Sequence, residues 1–245
     1  GMLKFLNIPF VGAGALGSAI GMDKDVMKRL WREAGLPLGK FLIFKSHEKM
    51  PEFSAIKKKL KSPVFVKPAN LGSSVGISKA KNSKEFKKAI MLAFRYDSKI
   101  LVEEFIEGRE IECSVLGNDE PKASVPGEVI PHSKHGFYSY EAKYIDESGA
   151  KLEIPAKLSK KLITKIQNLA IKAFKTLECE GMARVDMFLT TRNKIYLNEI
   201  NTIPGFTNIS MYPKLWEASG LSKGELLDEL IILALQRHNK DSSLK

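Results

Sequence analysis

The ten residues Tyr196-Leu197-Asn198-Glu199-Ile200-Asn201-Thr202-Ile203-Pro204-Gly205 constrain this chain more than any other stretch. They set a carboxylate and a carboxamide two positions apart at the end of an apolar run. Strand side chains alternate faces, so Glu199 and Asn201 point the same way. Upstream, Gly181 to Leu189 reads as a second strand, and Thr190-Thr191-Arg192-Asn193-Lys194 between them is polar and turn-prone. A hairpin folded about the Arg192–Asn193 bond sets Asp186 opposite Glu199 and Arg184 opposite Asn201. Three oxygen donors on one face suit Mg²⁺ or Mn²⁺ shared with phosphates. Arg184 would neutralise charge on a transferring phosphoryl group. The plainer alternative is a surface hairpin with a cross-strand ion pair. Against it, these groups lie among Val185, Met187, Phe188, Leu189, Tyr196, Leu197 and Ile200, where ionised groups need partners or a metal.

A second cluster points to the same chemistry. Val64-Phe65-Val66-Lys67-Pro68 reads as a strand ending on a lysine, followed by the small-residue loop Ala69-Asn70-Leu71-Gly72-Ser73-Ser74-Val75-Gly76. Such a loop lets backbone N–H groups approach a phosphate, and the lysine adds a point charge. In the usual P-loop the lysine closes the glycine loop; here it precedes it. A flexible hairpin loop is the plain alternative. Joined to the distant hairpin, the cluster suggests nucleotide phosphates held between two lobes.

The remaining pattern is α+β. Asp23 caps a helix running to about Ala34, with Met27, Leu30 and Trp31 on its apolar face; Gly35 and Pro37 end it. Phe41 to Phe44 and Ile100 to Phe105 read as strands, and Ser83 begins a helix striped by Phe86, Ala89, Ile90 and Ala93. Glu110 to Leu116 and Lys122 to Val125 form a hairpin around Gly117-Asn118-Asp119. The loop from Ser133 to Gly149 is long enough for a lid. Ser159 opens the strongest amphipathic helix, and Ser222 with Glu225 makes a capping box before a helix from Leu226 to about Gln236. The tail from His238 is polar and expected to fray. These elements divide as a linker over residues 1–21, a small lobe over 22–108, a larger lobe over 109–240 and a frayed tail over 241–245.

Six segments, in order, resemble those of the ATP-grasp enzymes, and within them the D-alanine–D-alanine ligases. They are Gly21 to Lys24; Val66-Lys67-Pro68 with Gly72 to Gly76; Leu101 to Ile106 with Gly108 and Glu110; Phe137 to Tyr144; Arg184-Val185-Asp186; and Asn198 to Gly205. The resemblance covers nearly the whole chain. It implies an ATP-grasp fold of two α+β lobes clasping ATP as substrate, with two Mg²⁺ or Mn²⁺ ions. Two D-alanines would be joined through an acylphosphate, for peptidoglycan synthesis. By position, Lys24 and Lys67 would hold ATP phosphates. Glu103, Glu104, Phe105 and Ile106 would form the hinge at adenine, Glu110 would meet the ribose, and Lys143 would reach the γ-phosphate from a mobile loop. Asp186, Glu199 and Asn201 match the metal ligands. Arg184 and the backbone around Gly205 would stabilise the tetrahedral transition state. Ser73 and Tyr144 would close the site, and Ser210 with Met211 would lie where the acceptor binds.

Tyr144 beside Lys143 resembles the members that form a dipeptide rather than an ester. Two departures stand out. Glu104 replaces a frequent lysine, and the domain that in the family precedes the linker and donates a glutamate to the first D-alanine is missing. Gly1-Met2 reads as a tag scar plus an initiator. Two alternatives follow: a nucleotide-binding fragment inactive alone, or another ATP-grasp carboxylate–amine ligase. A cytoplasmic location is expected, and a homodimer when the full-length protein is present.

Composition excludes more than it assigns. At 245 residues and 44% hydrophobic the chain carries an ample core. A net charge of +11 raises nucleic-acid binding. The lysines at 57–59 and 61, and Lys84, Lys87 and Lys88, however, read as exposed faces without interleaved aromatics, so no stacking platform forms. Steering of ATP accounts for part of the charge. Cys113 and Cys179 lack metal-ligand spacing and read as buried free thiols. Lys4 and the apolar run after it imitate a signal peptide, but Asn7 and Pro9 interrupt the run. No apolar run is long enough to span a bilayer.

Overall fold

Two antiparallel sheets organise the chain in a computed structural model that describes residues 1–131 and 150–243. The lid expectation, with Lys143 and Tyr144, lies outside the described residues. The smaller sheet contains β1 (Phe41–Lys45), β2 (Val64–Pro68), β3 (Ser78–Ala80) and β4 (Lys99–Glu104), in the order β1-β4-β2-β3. Helices α4 (Phe53–Leu60) and α5 (Ser83–Ala93) cover one of its faces. Phe53, Ile56, Phe86, Ala89 and Ile90 from the helices meet Val64, Val66, Ile100 and Val102 from the strands in one core. α5 begins at Ser83 as expected, capped by Asn82, whose Oδ1 accepts from the Glu85 N–H at 3.0 Å.

The larger sheet contains β5 (Arg109–Gly117), β6 (Lys122–Ala123), β7 (Gly127–Pro131), β8 (Ala150–Glu153), β9 (Gly181–Leu189) and β10 (Ile195–Asn201). Its order is β10-β9-β5-β7-β8, with β6 paired to β5. Alternation along β5 and β9 sends Ile111, Cys113, Val115, Ala183, Val185 and Met187 to a core shared with α6 (Lys160–Thr176), through Ile166, Ala170, Ala173 and Phe174. The other face carries Glu110, Glu112, Arg184, Asp186 and Phe188, paired Glu110 to Phe188 and Glu112 to Asp186. Helices α7 (Met211–Glu217) and α8 (Lys223–Ser242) pack around Leu116 and Met182 through Tyr212, Trp216, Leu226 and Leu230. The polar end of that face is left for the site.

Near the start of the chain lie α1 (Met2–Phe5), α2 (Ala15–Met22) and α3 (Lys24–Glu33). Asp23 caps α3 as expected, accepting from the N–H groups of Asp25 and Val26. The packing of α3 departs from the 22–108 lobe read from sequence. Met27 and Trp31 join the core of the larger sheet, and the Trp31 indole N–H donates to the Ala173 carbonyl at 3.0 Å. Charged groups of α3 and its cap address the small sheet: Lys99 pairs with Asp23 at 2.6 Å and Asp25 at 3.1 Å, and Lys28 pairs with Glu103. The helix therefore ties the two sheets together. α8 also outruns the expected end at Gln236. Its last turns are held by Arg237, which donates to the carbonyls of Phe10 and Gly12, by the Lys4–Asp241 pair at 3.1 Å and by Lys240 on Asp119 at 2.8 Å. No helix among the described residues is long and apolar enough to cross a membrane.

Candidate active site

The hairpin of β9 and β10 places Asp186 opposite Glu199 and Arg184 opposite Asn201, as its sequence predicts. It reaches that register by a route the sequence reading lacked. Next to the turn the pairing is offset by one residue, Ile195 with Leu189 and Leu197 with Met187, and a bulge between Leu197 and Glu199 restores it. A bulge leaves one residue extra and re-aims its neighbours. Here Leu197 stays buried at 1% exposure while Asn198 and Glu199 both line the cavity described below. Asn198 is thus a site residue that alternation alone assigns to the wrong face.

Arg184 organises the polar face of the sheet. Its Nε and Nη2 donate to both oxygens of Asp186 at 2.7 and 2.8 Å, and its Nε lies 2.9 Å from Glu112 Oε2. Asn201 Nδ2 donates to Asp186 Oδ2 at 3.0 Å. Burial alone would lower the guanidinium pKa, but Asp186 and Glu112 raise it, so Arg184 is a permanent cation. Glu112 escaped the sequence reading because it looks like one polar residue in an alternating strand. Its register position across from Asp186 is what gives it a part.

Facing the hairpin across a cavity of about 500 Å³ is the end of the smaller sheet. Lys24, Lys67, Glu103, Glu104, Phe105, Ile106 and Glu110 all line this cavity together with Glu199, as do Gly72 and Ser74 of the small-residue loop. Lys24 donates to the Leu71 carbonyl and lies 3.8 Å from Glu199 Oε2. Lys67 pairs with Glu103 at 2.7 Å and donates to Asn198 Oδ1 at 3.3 Å, which joins the two sheets across the cavity. Glu103 also receives Lys28 at 3.0 Å. Burial would push the Glu103 carboxyl up; Lys28 and Lys67 overcome it and hold the group down at about 2. Burial would likewise lower the Lys67 ammonium pKa, but Glu103, Glu199 and Glu110 raise it. For Lys28 burial wins, and its pKa falls below the usual lysine value.

The hinge residues divide their work. The Glu104 carboxylate accepts from the Lys40 backbone N–H at 2.7 Å, so it secures the strand edge. The Phe105 ring lies 6.0 Å from that of Phe65, with Lys79 Nζ 3.9 Å above its centroid. That gives the cavity an aromatic wall of the kind a flat heterocycle needs.

Gly205, Ser210 and Met211 do not line the cavity. Ser210 Oγ accepts from the Thr207 N–H at 3.0 Å and lies 2.8 Å from its hydroxyl, which latches the loop. A side chain at Gly205 would come within 2.9 Å of that same Oγ, so glycine keeps the latch closed. The Met211 side chain packs with Val129 and Leu215 in a small apolar cluster. Asp186, Asn201 and Arg184 lie on the hairpin beside Glu199. Ser73, with Ser74, holds a left-handed backbone in the loop. Among the described residues no three His, Cys, Asp or Glu side chains gather as a metal cluster. The donor set here is two carboxylates and an amide.

Two antiparallel α+β units that meet at a lysine-lined cavity, with Glu199 of the hairpin on its wall, define an ATP-grasp architecture. A family model described as "D-ala D-ala ligase C-terminus" matches residues 30–232. The D-alanine--D-alanine ligase of Oceanobacillus iheyensis is 58% identical over all of this chain and 67% of its own length. The D-alanine--D-alanine ligase A of Escherichia coli K12 is 53% identical with the same coverage. Among solved structures, the D-alanine-D-alanine ligase from Coxiella burnetii superposes with a TM-score of 0.88 at 45% identity, covering 99% of this chain and 64% of that one. The VanG D-Ala:D-Ser ligase from Enterococcus faecalis gives 0.87 at 40% identity, covering 96% of this chain and 67% of that one. The chain belongs to the D-alanine–D-alanine ligase family and spans about two thirds of the length of these relatives.

Proposed function

We propose that this chain binds ATP in the cavity between the sheets, with Mg²⁺ or Mn²⁺ on the hairpin, and carries the phosphoryl-transfer chemistry of a D-alanine–D-alanine ligase. One observation carries the reading: Lys24 at the start of α3 and Lys67 on the smaller sheet line the same cavity as Glu199, which pairs with Asp186 across the hairpin. The donor set fits a hard divalent cation, being all oxygen once the Asn201 amide presents its carbonyl. When bound, such ions neutralise phosphate charge and polarise the transferring group. Lys24 and Lys67 would hold the phosphates, joined by Lys143. The Phe105–Ile106 hinge would take the adenine and Glu110 the ribose.

The first D-alanine carboxylate would attack the γ-phosphorus and release ADP. The amine of the second would attack the acylphosphate carbon and expel phosphate. Arg184, fixed by its fork onto Asp186, would face the negative charge that develops on the oxygen of the tetrahedral intermediate, with the Gly205 backbone. Ser73 and Tyr144 would close the site. Ser210 with Met211 would lie where the acceptor binds.

Two buried thiols agree with a reducing cytoplasm. Exposed Leu227, Ile231, Ile232 and Leu235 on α8 favour a homodimer. That one superposed relative is named for D-serine as well as D-alanine makes the acceptor the substrate to test. The test is phosphate release from ATP with D-alanine against a panel of amino acids, on this chain alone and supplemented with the remaining third of a relative. Release that needs D-alanine supports the reading. Release driven by another amino acid and not by D-alanine reassigns the substrate.

A further inference from the structure

Lys28 has no place in the reading above, yet its environment is built. It sits one helical turn beyond Lys24 on α3, its side chain is 4% exposed, and its ammonium lies 3.0 Å from Glu103 Oε1. The other oxygen of the same carboxylate holds Lys67 at 2.7 Å. A buried lysine costs free energy through lost hydration, and one carboxylate would already satisfy Lys67.

A charge count explains the second lysine. Glu103 alone would cancel Lys67, leaving that pair neutral where a polyphosphate has to dock. With Lys28 on the opposite oxygen, the trio keeps one net positive charge. Glu103 is then shared, and Lys67 is held in place without being neutralised.

We propose that Lys28 is a positioning residue for phosphate binding, which acts through Glu103 to keep Lys67 both fixed and electrostatically available. The inference rests on the nucleotide reading of the cavity. It predicts an order of affinities set by the charge of the trio and not by the integrity of α3.

The experiment uses calorimetry with magnesium ATP and with magnesium tripolyphosphate, which lacks adenine and so isolates the phosphate wall. Lys28→Met leaves Glu103 to cancel Lys67, and tripolyphosphate affinity should fall by about tenfold or more. Lys28→Met combined with Glu103→Gln restores a single positive charge and should return affinity to within about threefold of wild type. Glu103→Gln alone, with two uncancelled lysines, should bind tripolyphosphate at least as tightly as wild type. It carries the test if Lys28→Met does not fold. A Lys28→Met chain that binds like wild type, a double variant as weak as the single one, or a weakened Glu103→Gln overturns the proposal. Wild-type protein that binds neither probe overturns the nucleotide reading itself and this inference with it.

Discussion

Replacing Glu103 by glutamine should destabilise the protein in a way that depends on pH, and the structure sets the size. Glu103 is nearly buried between Lys28 and Lys67, and its carboxyl is held at about 2 against an ordinary 4.5. A group whose pKa is depressed by folding stabilises the fold above its unfolded pKa, and that stability is lost as pH falls toward the folded value. At about 1.4 kcal/mol per unit, the shift corresponds to roughly 3 kcal/mol at neutral pH. Some 2 kcal/mol of this should be gone by about pH 3. Glutamine cannot ionise and forgoes the contribution at every pH. Urea unfolding of wild type and Glu103→Gln, in steps from about pH 6 to about pH 3, should show a stability gap that is largest at pH 6 and shrinks as acid is added. Other carboxylates titrate in both proteins and cancel in the difference. A gap that stays constant down to pH 3 would refute the assignment of Glu103 as an ionised, doubly paired carboxylate.

Gly108 lies where the chain passes from the smaller sheet to the larger, and a Cβ there would stand 2.6 Å from the Leu189 carbonyl oxygen. Gly108→Ala should cost about 1–3 kcal/mol by urea unfolding, because a backbone atom cannot yield; an unchanged midpoint would contradict the packing. Burial pushes the thiols of Cys113 and Cys179 up to about 12. Both should therefore be inert to a disulfide reagent in the native protein and react at once after unfolding; a fast native reaction at either would show that it is not buried.

The site was legible where its signal is local. The carboxylates of the hairpin, the lysine before the small-residue loop and the cap at Asp23 each follow from alternation, turn chemistry or capping within a short span. Features set by distant packing were not. The turn and the bulge offset each other, so the register at Asp186 and Glu199 came out right while Asn198 was missed. Lys28 repeats Lys24 at helical spacing, but a lysine beside an apolar stripe reads as solvated until Glu103 reaches it from the smaller sheet. The membership of α3 in the larger core depends on Trp31 finding Ala173, 142 residues away in sequence.

The central claim is that the carboxylates of the hairpin, with Lys24 of α3 and Lys67 of the smaller sheet, bind one metal–nucleotide complex. Calorimetric titration of ATP with and without Mg²⁺, on wild type and on Glu199→Gln with its fold verified by circular dichroism, tests it most directly. Wild type should bind ATP in a Mg²⁺-dependent manner, and Glu199→Gln should lose that dependence while staying folded. Equal Mg²⁺-dependent affinity in the two proteins would contradict the account.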